Sequence, residues 1–216
     1  MAIDTLQPLP PSVFPHVSLF MSYVTHCQDV LAILNKALAR QLGLPEDTFA
    51  ARQSPTEKSG TVLRLLKYYA SPEAEDLRTS LIHHTDFGTI TLLANIVGGL
   101  QILKRGGDPL NDDDWAWVRP QPGFLIVNMG DAMAQWTGGV LHSCIHRVRH
   151  APGAHRFVEK YNVAYLARPE LNASMKRLPN FEEGDDTEDG GLTAREWEAK
   201  KSMGLWRAPT TVIGKE

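Results

Sequence analysis

His84-Thr85-Asp86-Phe87-Gly88-Thr89-Ile90-Thr91-Leu92-Leu93 sets an imidazole and a carboxylate two residues apart, just before an apolar run rich in β-branched residues. On extended backbone, alternate side chains share a face, so His84 and Asp86 can reach one ion. A third ligand from a distant strand would complete a face of two histidines and one carboxylate. That set leaves coordination positions open and suits non-haem Fe(II). His83 has the wrong parity to join Asp86, so it reads as structural or substrate-side.

Outward from this stretch, short β-type runs recur at Thr61–Tyr69, Ile82–His84, Thr89–Ala94, Gly99–Lys104, Trp115–Val118, Phe124–Asn128, Ser143–Val148 and Phe157–Leu166. Turn formers separate them, among them Gly98-Gly99, Gly106-Gly107-Asp108-Pro109 and Pro152-Gly153. Many short strands at this spacing predict a sandwich or jelly roll and not a βαβ fold. Upstream, Phe20, Val24, Cys27, Leu31, Leu34 and Leu38 predict a helix over 17–42, stopped by Gly43 and Pro45. A second short helix is expected from Pro45 to Arg52. Downstream, the acidic, glycine-rich Asn180–Gly191 reads as a loop, and Thr193 with Glu196 forms a capping box for a helix over Thr193–Lys201. The fold expected is mainly β with flanking helices (α+β), a double-stranded β-helix or jelly roll. A helical segment occupies 1–60, the jelly-roll core 61–170, and a loop and helix 171–216.

Net charge is −3, with both signs spread along the chain. That lacks the basic footprint of a nucleic-acid partner. No uninterrupted apolar run approaches the roughly 18 residues of a membrane span. The first residues lack the basic start and apolar stretch of a secretory signal. Two cysteines, Cys27 and Cys144, cannot build a disulfide framework, which fits a reducing, cytoplasmic setting.

The stretch His84–Leu93 resembles the iron motif of the isopenicillin-N-synthase-like oxygenases. The resemblance continues in order through Val97-Gly98-Gly99-Leu100-Gln101-Ile102, Trp117-Val118-Arg119-Pro120, Val127-Asn128-Met129-Gly130-Asp131 and Trp136-Thr137-Gly138-Gly139 to His146-Arg147-Val148. It implies that His146 is the third iron ligand, in preference to His142, which shares its strand face. It also implies 2-oxoglutarate as cosubstrate, with ascorbate as a candidate reductant.

The far carboxylate of 2-oxoglutarate needs a buried cation, since an unpaired buried charge is costly. The family supplies an arginine and a hydroxyl in Arg-x-Ser on the strand after the third ligand. Two registers compete here. Lys160-Tyr161-Asn162 matches that strand with conservative changes, making Lys160 the cation and Asn162 its companion; Arg156, 10 residues past His146, is the rival. All three would face one side of a single strand. Tyr69 falls where the family carries a tyrosine that contacts the cosubstrate.

The activity implied is oxidation of a small organic molecule in specialised metabolism, by hydroxylation, desaturation or ring closure, with dioxygen consumed and 2-oxoglutarate decarboxylated to succinate. Phe87, Trp136, His142 and Leu166 are the candidate substrate contacts. Departures around 156–162 keep open an iron oxidase that does without 2-oxoglutarate. Family members usually have a longer N-terminal part that adds a strand to the jelly roll. Its absence here suggests an inactive binding subunit as a further alternative. It also predicts an uncovered sheet edge, which a second copy of the chain could pair in a homodimer.

Overall fold

A computed structural model describes residues 9–70, 79–181 and 189–207. Its core is a pair of four-stranded, wholly antiparallel sheets. Strands β1 (Val62–Tyr68), β8 (Lys160–Leu166), β3 (Ile90–Asn95) and β6 (Ile126–Met129) form the first in the order β1-β8-β3-β6. Strands β2 (Thr79–His84), β7 (His146–Arg149), β4 (Leu100–Leu103) and β5 (Trp115–Trp117) form the second in the order β2-β7-β4-β5. The chain crosses repeatedly between the two sheets, so this is the expected jelly roll. Among the described residues, the outer edge of β1 has no strand partner.

Alternation along the strands divides the molecule into two kinds of interior. On β3, Ile90 and Leu92 point outward onto helix α1 (Val17–Gln41), where they join Val24, Cys27, Leu31 and Tyr165 in one core. Thr91 and Leu93, on the opposite face, look into the space between the sheets. By length and composition the helical run Phe14–Gln41 is apolar enough to cross a membrane, with mean hydropathy 1.3 over 18 residues, against the expectation that no such run exists. In the fold, its apolar stripe rests on the sheet.

A second core gathers Ala39 of α1, Phe49, α2 (Asp131–Trp136), Met175, Leu178 and Trp197 of α3 (Ala194–Arg207). The residues before and after the strands therefore meet behind the loop that carries Asp86. The capping box closes as expected: Thr193 N–H donates to Glu196 Oε2 at 2.9 Å, and Glu196 N–H donates to Thr193 Oγ1 at 3.4 Å. Three local readings change. The helix expected over Pro45–Arg52 is a run of turns ending in a 3₁₀ turn at Ala50–Arg52. Residues Gly153–Phe157 form a 3₁₀ turn, so the last strand begins at Lys160 and not Phe157. The short helix α2 falls where no element was expected. Within the loop expected at Asn180–Gly191, residues 182–188 lie outside the described set.

Candidate metal centre and cosubstrate pocket

His84 ends β2 and His146 begins β7, and the two residues are direct cross-strand partners. Their rings lie 4.3 Å apart between centroids. Asp86 stands just beyond β2, and its Oδ1 is 3.9 Å from Nε2 of each histidine. The ligand atoms of the three residues lie within 4.8 Å of one another, close enough to hold one metal ion.

Each donor is already oriented. His84 Nδ1 donates to the Ile82 carbonyl at 2.8 Å and His146 Nδ1 donates to the Cys144 carbonyl at 2.9 Å. With the proton placed on Nδ1, each Nε2 lone pair faces its neighbours. Asp86 Oδ2 accepts from Thr91 Oγ1 at 2.7 Å and Asn128 Nδ2 at 2.9 Å, which leaves Oδ1 for the ion. Burial works to raise the Asp86 carboxyl, but hydrogen bonds from Asn128 and Thr91 outweigh it and hold it below the usual range. Burial, then the neighbouring His146, keep His84 below its usual value, favouring the neutral ring that binds metal. These are the features of a site that fits Fe(II): two imidazoles with their Nε2 atoms turned together, one carboxylate and open sides.

The backbone around Asp86 admits no bulk. A Cβ at Gly88 would collide with the Ala167 carbonyl oxygen, so only glycine lets the ligand loop lie this close to the end of β8. Asp131, at the start of α2, donates its N–H to the Asp86 carbonyl at 2.8 Å and pairs with Lys201 of α3 at 2.8 Å. The helical side thus braces the ligand loop.

The triad opens onto a cavity of about 430 Å³ between the sheets. Its walls are mostly aliphatic, with Leu66, Leu100, Ile102 and Val148 among them. Asn162 and Leu166 of β8 line it too, and the buried Asn162 side-chain oxygen has no hydrogen-bond partner among the described residues. Lys160, two residues earlier on the same face, is 6 % exposed. Its ammonium sits 4.4 Å from the centre of the Tyr68 ring and makes no hydrogen bond or ion pair among the described residues. Burial pushes its pKa down to about 8. A Cβ on Gly99 would fall 2.8 Å from Lys160 Nζ, and Gly99 adopts φ +116°, so a glycine there clears room for the cation.

A sequence profile of the 2OG-Fe(II) oxygenase superfamily matches residues 60–169, half of the chain. The chain belongs to this superfamily. Among its relatives, the Amanita muscaria 2-oxoglutarate-dependent dioxygenase iboH is 28 % identical over 89 % of this chain and 87 % of its own length. The UPF0676 protein C1494.01 of Schizosaccharomyces pombe is 34 % identical over 89 % of this chain but 58 % of its own length. The fold is similar to that of a full-length Neurospora crassa protein crystallised with alpha-KG, with TM-score 0.77 at 21 % identity, covering 92 % of this chain and 60 % of that one. The chain thus spans less than two thirds of two of these three proteins.

Within this superfamily, the sequence-derived residues divide. His84, Asp86 and His146 converge. Lys160 and Asn162 face inward together, whereas Arg156 lies in the 3₁₀ turn before β8 and not on the strand face assumed for it. Tyr69 is 72 % exposed beyond the end of β1, and parity sends Tyr68 inward in its place. Of the four substrate candidates, only Leu166 lines the cavity. Trp136 is fully buried in the helical core, and Phe87 packs against that core. His142 is exposed, with Nε2 3.2 Å from an Arg105 nitrogen. His83 lies outside the cavity, 6.3 Å from the Trp115 ring centre. Arg64, Asn128 and Cys144 were missed as cavity residues. Alternation along 62–68, taken from a strand end set at Tyr68, would have found Arg64.

Proposed function

We propose that this chain is an Fe(II)- and 2-oxoglutarate-dependent oxygenase that oxidises a small organic molecule, hydroxylation being its ordinary outcome and desaturation or cyclisation its variants. The observation that carries the reading is that a two-histidine, one-carboxylate set opens on a cavity lined by Asn162 of β8, and the same face of that strand carries, two residues earlier, the buried Lys160 with no anionic partner among the described residues. His84 Nε2, His146 Nε2 and Asp86 Oδ1 would hold the iron. When bound, the metal supplies activation of dioxygen coupled to conversion of 2-oxoglutarate into succinate and carbon dioxide. The chain's own task is positional. Backbone carbonyls keep the protons on both Nδ1 atoms. Thr91 and Asn128 keep Asp86 ionised and turned. Lys160 receives the far carboxylate of 2-oxoglutarate as a point charge, and Asn162 offers its amide beside it. The aliphatic walls exclude water from the reacting centre.

An iron oxidase without 2-oxoglutarate would leave Lys160 a buried cation with nothing to neutralise it, which argues for the cosubstrate. Anaerobic titration of the Fe(II)-loaded protein with 2-oxoglutarate should produce a saturable visible absorbance band, absent in His146→Ala. Release of succinate on admitting oxygen should follow. Stoichiometric iron binding with no band and no succinate would defeat the reading. The open edge of β1 supports a homodimer as well; a monomer by light scattering at high concentration would count against it.

A further inference from the structure

We infer that Arg64 anchors a carboxylate on the substrate, so that the enzyme takes a small monoanionic acid with an apolar body. The inference rests on the oxygenase reading above. Arg64 lies in the middle of β1, with the inward parity of Leu66 and Tyr68, and lines the cavity. Among the described residues lining that cavity it is the only lysine or arginine. No hydrogen bond or ion pair joins it to any described residue, yet its charge acts on both His84 and Tyr68. A guanidinium left open beside an apolar space is a ready fork for a carboxylate.

Charge balance points the same way. Two positive charges of Fe(II) and one of Lys160 are matched by one negative charge of Asp86 and two of 2-oxoglutarate. With cosubstrate in place, Arg64 is the surplus. A monoanionic substrate would neutralise it, a neutral one would leave it, and a dianion would overshoot. The body of the molecule would meet Leu81, Leu100, Ile102 and Val118. Arg64 is also exposed on an edge strand, so a ligand arriving from solvent can reach it.

The test uses the full chain loaded with Mn(II), a redox-quiet stand-in for Fe(II), and saturated with 2-oxoglutarate. Calorimetry then measures binding of hexanoate and 3-phenylpropanoate beside their neutral amides. In the wild type each acid should bind about tenfold or more tightly than its amide, the worth of one charge-assisted contact. Arg64→Gln should erase that preference, and Arg64→Lys should keep part of it. The 2-oxoglutarate Kd should stay within about twofold in both variants. Equal binding of acid and amide, or no binding of either acid at millimolar concentration, overturns the inference. So does an Arg64→Gln variant that loses 2-oxoglutarate instead, since Arg64 would then serve the cosubstrate. Failure of 2-oxoglutarate to bind the wild type is a separate result: it defeats the oxygenase reading, and this inference with it.

Discussion

Two buried cations, Arg147 on β7 and Lys160 at the start of β8, are 7 % and 6 % exposed, yet their surroundings differ in kind. Arg147 lies on the outer face of its sheet. Its Nε donates to Gln101 at 2.7 Å, an Nη pairs with Asp112 at 2.8 Å, and its guanidinium lies 4.2 Å from the Trp115 ring centre. Lys160, on the inner face of the other sheet, has the Tyr68 ring and no polar partner among the described residues. A buried charge with its donors engaged is part of the scaffold; one left open costs stability and implies a ligand that offsets the loss. The arginine of the His-Arg-Val triplet is therefore part of the scaffold, and the lysine is the cation on which the proposed cosubstrate role rests.

The sharpest test of this contrast is Lys160→Met, which keeps the length and removes the charge. It should raise the 2-oxoglutarate Kd by about 100-fold, while iron affinity changes less than about twofold. Titration calorimetry on the Mn(II) form reads both, and equal loss of metal and cosubstrate would break the contrast. Arg147→Met should do the opposite. It should destabilise the fold by about 2 kcal/mol in urea unfolding, because Gln101 and Asp112 lose their partner, and leave 2-oxoglutarate binding nearly unchanged.

A smaller effect is expected at the metal end. Thr91→Val removes one of two hydrogen bonds to Asp86 Oδ2 and should weaken iron binding about tenfold. Competition with a metal chelator would measure it.

The pH dependence of the cosubstrate-free protein is subtler. Lys160 titrates near 8 when folded and higher when unfolded, so the unfolded chain holds more protons between those values. Stability should therefore rise as pH climbs from about 8 towards 10, and Lys160→Met should abolish that rise. A stability that falls over this range in the wild type relative to Lys160→Met would contradict a buried, unpaired ammonium. The smallest change is expected at Tyr69, whose replacement by alanine should leave the 2-oxoglutarate Kd within about twofold. Tyr68→Ala should raise it severalfold, through loss of the ring that flanks the ammonium.

Much of this was legible along the chain because period-two alternation and turn formers are local signals. The eight strands, the long helix, the capping box and the set of His84, Asp86 and His146 all follow from such signals or from an ordered family resemblance. Errors arose where one residue of register mattered. Setting the strand end at Tyr69 instead of Tyr68 exchanged the inward and outward faces of β1, and it hid Arg64 as well. Arg156 left the strand face for a related reason: the 3₁₀ turn at Gly153–Phe157 ends the alternation on which its placement relied. Trp136 and Phe87 could not be told from pocket residues, because an aromatic side chain suits a core and a binding site equally well. Their place was set by α2, whose six residues are too short for a periodic signal.

The sequence by itself determined the jelly roll, the family and the chemistry of the metal donors, since these depend on residue type at short spacing. Only the tertiary structure decided which charged residues are buried without a partner, which tyrosine flanks the buried lysine, and which buried arginine is already spoken for. Those answers depend on where the partners of a charge come to lie. For Lys160 and Arg147 the deciding neighbours come from strands and turns distant in sequence, and no local pattern records their presence or their absence.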